Sequence, residues 1–174
     1  WMEWTFREYG LPDAIRTDNG APFASVAAGG LSLLSKWWIR LGIKPERIRP
    51  GRPDQNGRHE RMHRTLKAAG VAPIRANLAA QQRQFNAFVA EYNWERSHEA
   101  LGRKTPGSVY RASTRPYPAR LPAVEYDLDV IVRRVRHNGE IKWRGARIYL
   151  SEVLAHEPVG LIPIDDEYWE VRFS

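Results

Sequence analysis

The chain has 174 residues, of which 43% are hydrophobic and 27% are charged, a balance typical of a globular protein. Lys and Arg number 27 against 20 Asp and Glu, and the net charge of +7 favours a polyanionic partner. The absence of cysteine excludes disulfide scaffolds, cysteine-ligated zinc and thiol nucleophiles. Because the sequence shows neither a signal peptide nor an apolar run of membrane-spanning length, we expect a soluble intracellular protein.

The first part of the chain alternates predicted helices and strands. In chain order the pattern predicts a helix ending at Tyr9, a strand over Ala14–Thr17, a helix over 31–41, a strand over 43–49, a glycine- and proline-rich loop over 51–57, a helix over 58–69 and a long amphipathic helix over 78–94. This alternation predicts the α/β class.

A proline-rich segment then separates two regions of different pattern. Thr114 to Pro122 contains three prolines in nine residues, which is typical of an extended linker. We therefore expect one domain over 1–112, a linker over 113–122 and a small second domain over 123–174. The second domain has five short strand patterns and a strong hairpin-turn signal at His137-Asn-Gly139, which together predict a small antiparallel β-barrel.

Two carboxylates stand at positions suited to metal binding. Asp18 follows the predicted strand and precedes Asn-Gly, so rigid backbone would hold it beside open space. Glu60 lies in the first turn of the predicted helix, with Arg64 and Lys67 one and two turns further on the same face. Carboxylates suit a hard divalent cation, and the cations beyond them suit a nucleic-acid backbone. The plain alternative is that Asp18 is only a turn residue and Glu60 part of a solvated helix.

Several motifs in order resemble the integrase catalytic core, and more narrowly the DDE transposases of bacterial insertion sequences, which are relatives of retroviral integrase. The matching stretches are Ile15-Arg-Thr-Asp-Asn-Gly20, Leu41-Gly-Ile-Lys-Pro45, Pro50-Gly-Arg-Pro-Asp-Gln-Asn-Gly-Arg-His-Glu60, Tyr92-Asn-Trp-Glu-Arg-Ser-His-Glu-Ala-Leu101 and Lys104-Thr-Pro106. The resemblance runs over about residues 10–118. It implies a partial ribonuclease H-like fold and DNA integration or transposition by strand transfer.

The resemblance also implies roles for individual residues. Asp18 and Glu60 would be catalytic ligands of Mg²⁺ or Mn²⁺, and Asn56, Arg64 and Lys67 would contact DNA. The family's first aspartate has no counterpart among the seventeen residues before Asp18. Because the chain also begins at Trp1, we expect a piece of a longer protein that has no strand-transfer activity by itself.

The partners implied by the resemblance are the DNA of element ends and target, together with further copies of the chain. Neither a membrane nor a small-molecule cofactor is expected. The implied location is the bacterial cytoplasm, in association with the nucleoid. A non-catalytic DNA-binding remnant of a transposase is the alternative from another functional class.

A competing motif overlaps the proposed glutamate. His59-Glu-Arg-Met-His63 spells the H-E-x-x-H signature of zinc peptidases, with Glu60 as general base and Glu91 or Glu95 as a possible third ligand. Arg61 inside the motif places a positive charge beside the dication, which weakens a zinc site. We therefore regard a zinc peptidase as the less favoured alternative.

Basic residues also cluster in the first strands of the tail, where alternate side chains share one face. Several of them could line one DNA-binding surface, with Arg133, Arg134 and Arg144 as the candidates. The tail resembles the SH3-like barrel that follows the core in related transposases. A solvated strand face is the alternative.

Overall fold

The computed structural model describes residues 1–71 and 74–174, and for residues 28, 53, 56, 58, 70 and 71 the backbone alone. This part of the chain contains five α-helices: α1 (Met2–Tyr9), α2 (Leu33–Arg40), α3 (Gly57–Leu66), α4 (Leu78–Ala90) and α5 (Pro106–Val109). The helices α3 and α4 continue into π-helical turns at Lys67–Val71 and Glu91–Glu95.

The described residues also form seven strands: β1 (Ala14–Thr17), β2 (Lys44–Arg47), β3 (Ile131–Arg134), β4 (Glu140–Trp143), β5 (Ala146–Tyr149), β6 (Pro158–Pro163) and β7 (Trp169–Arg172). Each strand lies within or beside a range that the sequence predicts. The mixed helix and strand content is therefore confirmed.

The chain divides into two compact units. The first joins Trp1–Pro50 to Ser113–Ser174, and the second is Gly51–Ala112. In the first unit, α1 and α2 pack on the parallel pair β1–β2, and the core is formed by Phe6, Leu11, Trp38, Leu41 and Ile43. The α2 boundaries follow from local chemistry: Ser32 forms a capping box with Ser35, and Gly42 follows the helix with φ of 67°.

The tail strands form a second core within the same unit. Antiparallel pairing joins β3 to β6 and β6 to β7 in one sheet, and β4 to β5 in another. The buried side chains between these elements are Val135, Ile141, Leu154, Val159 and Leu161. The antiparallel strands are as predicted, but the pairings leave two open sheets, and a closed SH3-like barrel is not established.

The predicted turn in the tail is closed by a hydrogen bond from the Arg136 N–H to the Glu140 carbonyl oxygen at 2.8 Å, but it does not join two paired strands. His137-Asn-Gly139 does form a turn, in which the Gly139 N–H donates to the Arg136 carbonyl oxygen at 3.0 Å. Its flanking strands nevertheless pair elsewhere, β3 with β6 and β4 with β5. The β4–β5 hairpin turns at Arg144 and Gly145, whose φ values of 46° and 86° correspond to the left-handed turns that join antiparallel strands.

The proline-rich segment is bound to the first part of the chain. The Ser113 hydroxyl donates to the Leu11 carbonyl oxygen at 2.6 Å, and the Arg115 guanidinium donates to the carbonyl oxygens of Leu41 and Gly42 at 2.7 and 2.9 Å. A Cβ atom on Gly10 would lie 2.8 Å from the Ser113 carbonyl oxygen. Residues 113–115 are thus packed closely against the loop between α1 and β1.

The second unit contains α3, α4 and α5. Phe88 of α4 is buried and its ring centroid lies 5.5 Å from that of Tyr92, while Tyr92 contacts His98 edge to face at 4.8 Å. Val89, which the sequence groups with this apolar face, is 52% exposed. The apolar face of α4 is therefore narrower than its sequence suggests.

An ion cluster of low exposure links α2 to the loop before β6. Arg40 donates to Glu157 at 2.6 Å, and the Lys36 ammonium lies 3.4 Å from the other Glu157 oxygen. The side chains of Lys36, Arg40 and Glu157 are 18%, 16% and 14% exposed. At such exposure a charge needs a partner, because removing one member leaves the other desolvated and unpaired.

We predict that Glu157→Ala lowers the free energy of unfolding by about 3 kcal/mol, because it leaves two largely buried cations unpaired. Asp13→Ala is the matched control, since the Asp13 carboxylate pairs with Arg115 at 3.3 Å but is 96% exposed. Urea denaturation measures both variants. Equal losses in the two variants would contradict the prediction.

Candidate functional site

Asp18 lies where β1 ends, at one edge of the small parallel sheet. Its Oδ1 atom accepts a hydrogen bond from the Gly20 N–H at 2.8 Å, which closes an Asx turn. The Asn19 amide donates to the Ile48 carbonyl oxygen at 3.0 Å and so ties the end of β1 to the residue after β2. The backbone at Asp18 is therefore fixed, while the carboxylate remains exposed to solvent.

Glu60 lies in the first turns of α3, which begins at Gly57 as the loop-to-helix pattern predicts. Its side chain is exposed, and among the described residues it has neither a hydrogen bond nor an ion pair. Arg64 lies one turn later and is also exposed. Lys67 begins the π-helical turn that follows α3. The helix, its acid and its two cations are thus present as predicted.

Asp18 belongs to the first unit and Glu60 to the second. Their convergence on one metal ion accordingly stays a prediction. Both side chains are exposed carboxylates, which suit Mg²⁺ or Mn²⁺ in chemical type. Within the described ranges, no three or more His, Asp or Glu side chains are grouped so that they could hold a metal ion.

The two histidines of the overlapping H-E-x-x-H motif contact each other. The ring centroids of His59 and His63 are 4.1 Å apart with an angle of 49° between the ring planes, and both side chains are exposed. They share a helix face, as the spacing requires. A third ligand, for which Glu91 and Glu95 were candidates, does not join them in the part of the chain that the structure describes. The zinc alternative therefore gains no support.

The second unit carries most of the chain's net positive charge. Residues 51–112 contain eleven Lys and Arg against five Asp and Glu, a net charge of +6. One of these cations is engaged locally: Arg52 donates two hydrogen bonds to Asp54, at 2.8 and 2.9 Å, and this guanidinium lowers the pKa of the Asp54 carboxyl. The side chain of Asn56, a predicted DNA contact, lies outside what the structure describes.

A cavity that the sequence did not reveal lies beside α3 within this unit. It has a volume of about 280 Å³, and its charged and titratable lining groups are Arg61, Arg96 and His98, with Thr65 and Tyr92 nearby. The His98 Nε2 atom is buried and has no hydrogen-bond partner among the described residues. Two guanidiniums in a cavity without a lining carboxylate suit an oxyanion.

In the tail the structure brings two of the three predicted arginines together. The guanidiniums of Arg133 and Arg144 lie over the Trp143 ring at 5.3 and 5.6 Å from its centroid. Arg134 instead donates to the His156 carbonyl oxygen at 2.7 Å. Because adjacent residues of a strand point to opposite faces, Arg133 and Arg134 do not share one surface.

The aromatic pair beneath these arginines was missed by sequence reasoning. Trp143 and Trp169 meet edge to face, with ring centroids 4.8 Å apart, and Arg144 also lies 5.1 Å from the Trp169 centroid. The only local signal is Arg144-Gly145, a dipeptide directly after Trp143 that turns the chain sharply. The position of Trp169 depends on the β6–β7 pairing, which no local pattern gives.

Comparison with known proteins agrees with the motif analysis. Residues 41–106 match the family model described as integrase core domain. The matched range includes Glu60, Arg64 and Lys67, whereas Asp18 lies before it. The resemblance to an integrase catalytic core is thereby confirmed for this part of the chain.

A chain in the cryo-EM structure of the simian T-cell lymphotropic virus intasome in complex with PP2A regulatory subunit B56 gamma is similar, with 18% sequence identity and a TM-score of 0.47. The match covers 98% of this chain and 59% of that one, so this chain spans little more than half the length of its counterpart. In the described residues, every helix is too short or too polar to cross a bilayer.

We predict that Asn19→Ala lowers the free energy of unfolding by about 1 kcal/mol, the usual net contribution of one hydrogen bond. The lost bond is the one that joins the ends of β1 and β2 beside Asp18. Asn86→Ala is the control, because the Asn86 amide oxygen accepts from Gln82 at 2.8 Å on the exposed face of α4. Thermal or urea unfolding of both variants checks this, and a larger loss in Asn86→Ala would refute it.

Proposed function

Because residues 41–106 are an integrase catalytic-core segment, we propose that the protein acts in DNA integration or transposition, as part of a DDE-type transposase that performs metal-dependent strand transfer. The observation that carries the proposal is the matched segment itself. It begins in the turn before β2 and includes the helix with Glu60.

Asp18 and Glu60 would hold the divalent metal ion. Both are exposed carboxylates without an ion-pair partner in the described part of the chain, so Glu60 and the second oxygen of Asp18, whose Oδ1 accepts from Gly20, are open to a hard cation. When bound, Mg²⁺ or Mn²⁺ acts as a Lewis acid toward phosphoryl oxygens. The residues themselves position the ion: the Asx turn and the Asn19 amide fix Asp18, and the helix α3 fixes Glu60.

The DNA backbone would lie along the basic surface of the second unit. Arg64 and Lys67 follow Glu60 on α3 and its π-helical turn, and both are exposed. A net charge of +6 on residues 51–112 supplies the long-range attraction for phosphates. Asn56 and the tail arginines Arg133 and Arg144 are further proposed DNA contacts, whereas Arg134 keeps only an electrostatic role.

The proposal also includes expectations that the sequence and its resemblance raise. They are the domain boundaries 1–112, 113–122 and 123–174, the assembly of several copies on paired DNA ends, the bacterial insertion-sequence origin with its nucleoid location, and an SH3-like tail. The alternative from another class is a DNA-binding remnant without catalysis. Such a remnant would bind DNA without any dependence on a metal ion at Asp18.

We predict that Lys67→Ala reduces by about one unit the slope of log K against log salt concentration for duplex DNA, because one phosphate contact is lost. Lys44→Ala is the control, since Lys44 is exposed at the start of β2, the end of the sheet opposite Asp18. Fluorescence anisotropy over a salt series measures the slope. Identical slopes for the two variants would remove Lys67 from the DNA surface.

We further predict that Mg²⁺ strengthens DNA binding by the wild-type chain, and that Asp18→Asn and Glu60→Gln each abolish this increase. Asp13→Asn is the control, because Asp13 precedes the same strand and is also exposed to solvent. Binding isotherms with Mg²⁺ and with EDTA provide the comparison. If Asp18→Asn keeps the Mg²⁺ effect, the metal assignment fails, and stoichiometric zinc binding independent of Asp18 would favour the peptidase alternative instead.

A further inference from the structure

A cavity of about 400 Å³ lies in the tail, between the β4–β5 hairpin and the β6–β7 hairpin. Its floor is apolar and includes the buried side chains of Ile141 and Leu161. Three aromatic residues, Trp143, Tyr168 and Trp169, form walls. The cavity lies entirely within the first unit, and its volume is in the range of pockets that take a small organic group.

The edge of this cavity is positively charged. Arg144 lines it from the β4–β5 turn, and Arg133, outside the lining, lies 5.3 Å from the centroid of the Trp143 ring. Neither guanidinium is paired with a carboxylate in the described part of the chain. A cationic guest is disfavoured here, because two like charges already lie against the aromatic rings.

One polar acceptor completes the lining. The Glu167 side chain borders the cavity, and its carboxylate has no hydrogen-bond or ion-pair partner among the described residues. Its backbone N–H is held by Asp165 at 2.9 Å, so the residue is fixed in the β6–β7 turn. An acceptor at this position suits the exocyclic amino group of a nucleobase.

We propose that this cavity binds the base of an unpaired nucleotide in DNA. The inference rests on the proposed function and names the form of DNA that the tail recognises. Tyr168, which is 66% exposed, provides a face for stacking, and Arg144 at the edge provides a contact for a neighbouring phosphate. A base within a duplex is stacked on its neighbours and does not offer its faces, so the site discriminates unpaired from paired nucleotides.

The test uses the full chain and a short duplex with a single-stranded overhang that carries 2-aminopurine. Stacking of 2-aminopurine on the aromatic walls quenches its fluorescence, and we expect this quench with the wild-type chain. Tyr168→Ala should remove most of the quench and weaken binding of the overhang substrate about fivefold to tenfold, since base–aromatic stacking is lost. Affinity for the blunt duplex should not change.

Tyr149→Ala is the matched control. Tyr149 is 63% exposed and Tyr168 is 66% exposed, but only Tyr168 lines the cavity. Both variants should fold, which urea denaturation verifies. Equal quenching in the two variants, or no quenching with the wild-type chain, would overturn the proposal. If the wild-type chain does not bind the blunt duplex in an anisotropy measurement, the proposed function fails instead, so the two failures are distinguishable.

Discussion

The first unit depends on one carboxylate with low solvent exposure. Glu157 precedes β6 and pairs with Lys36 and Arg40 of α2. Arg40 and Glu157 are 117 residues apart in the sequence. A charge at this exposure is stable only with its partners in place, so the ion cluster specifies how the tail packs on the first helices. The same guanidinium also donates to the Pro122 carbonyl oxygen at 2.7 Å, which adds the end of the proline-rich segment to this contact.

This contact lies within the compact unit that joins Trp1–Pro50 to Ser113–Ser174. A composition change at 113–122 suggests independent parts on either side. In the structure the chain leaves the first unit after Pro50 and returns at Ser113, where Ser113 and Arg115 donate to the backbone around Leu11 and Leu41. The prolines keep the returning segment extended, and its hydrogen bonds hold it in place. Packing partners of this kind are not visible in the local sequence.

The elements themselves could be predicted because their signals are local. The α2 helix has a Ser32 cap and a glycine after its end, and β4 follows a turn at Gly139, so a short window of sequence specifies each of them. Strand pairing could not be predicted in the same way. The strongest turn signal in the tail precedes β4 without joining it to β3, because β3 pairs with β6, whose Val159 and Leu161 form the buried centre of the sheet. Burial over a long sequence separation decided that pairing.

In the candidate site, too, the local elements could be predicted from the sequence, whereas contacts between distant residues could not. The Asx turn at Asp18 and the helix that carries Glu60 follow from Asp-Asn-Gly and from the glycine-containing loop before α3, and the structure contains both. The meeting of the two carboxylates depends on two separate units and has no local signal. The Trp143–Trp169 pair was missed for a related reason, since its two members come from different hairpins.

The charge distribution gives the two units different means of holding DNA under the proposed function. The second unit has a net charge of +6, whereas the first has sixteen basic against fifteen acidic residues. Attraction for phosphates is therefore concentrated on residues 51–112, where it acts at a distance and is screened by salt. In the nearly neutral first unit, the guanidiniums of Arg133 and Arg144 lie against aromatic rings, where the proposed contacts with DNA are local. Affinity would then come mainly from the basic unit, and recognition of an unpaired base from the tail.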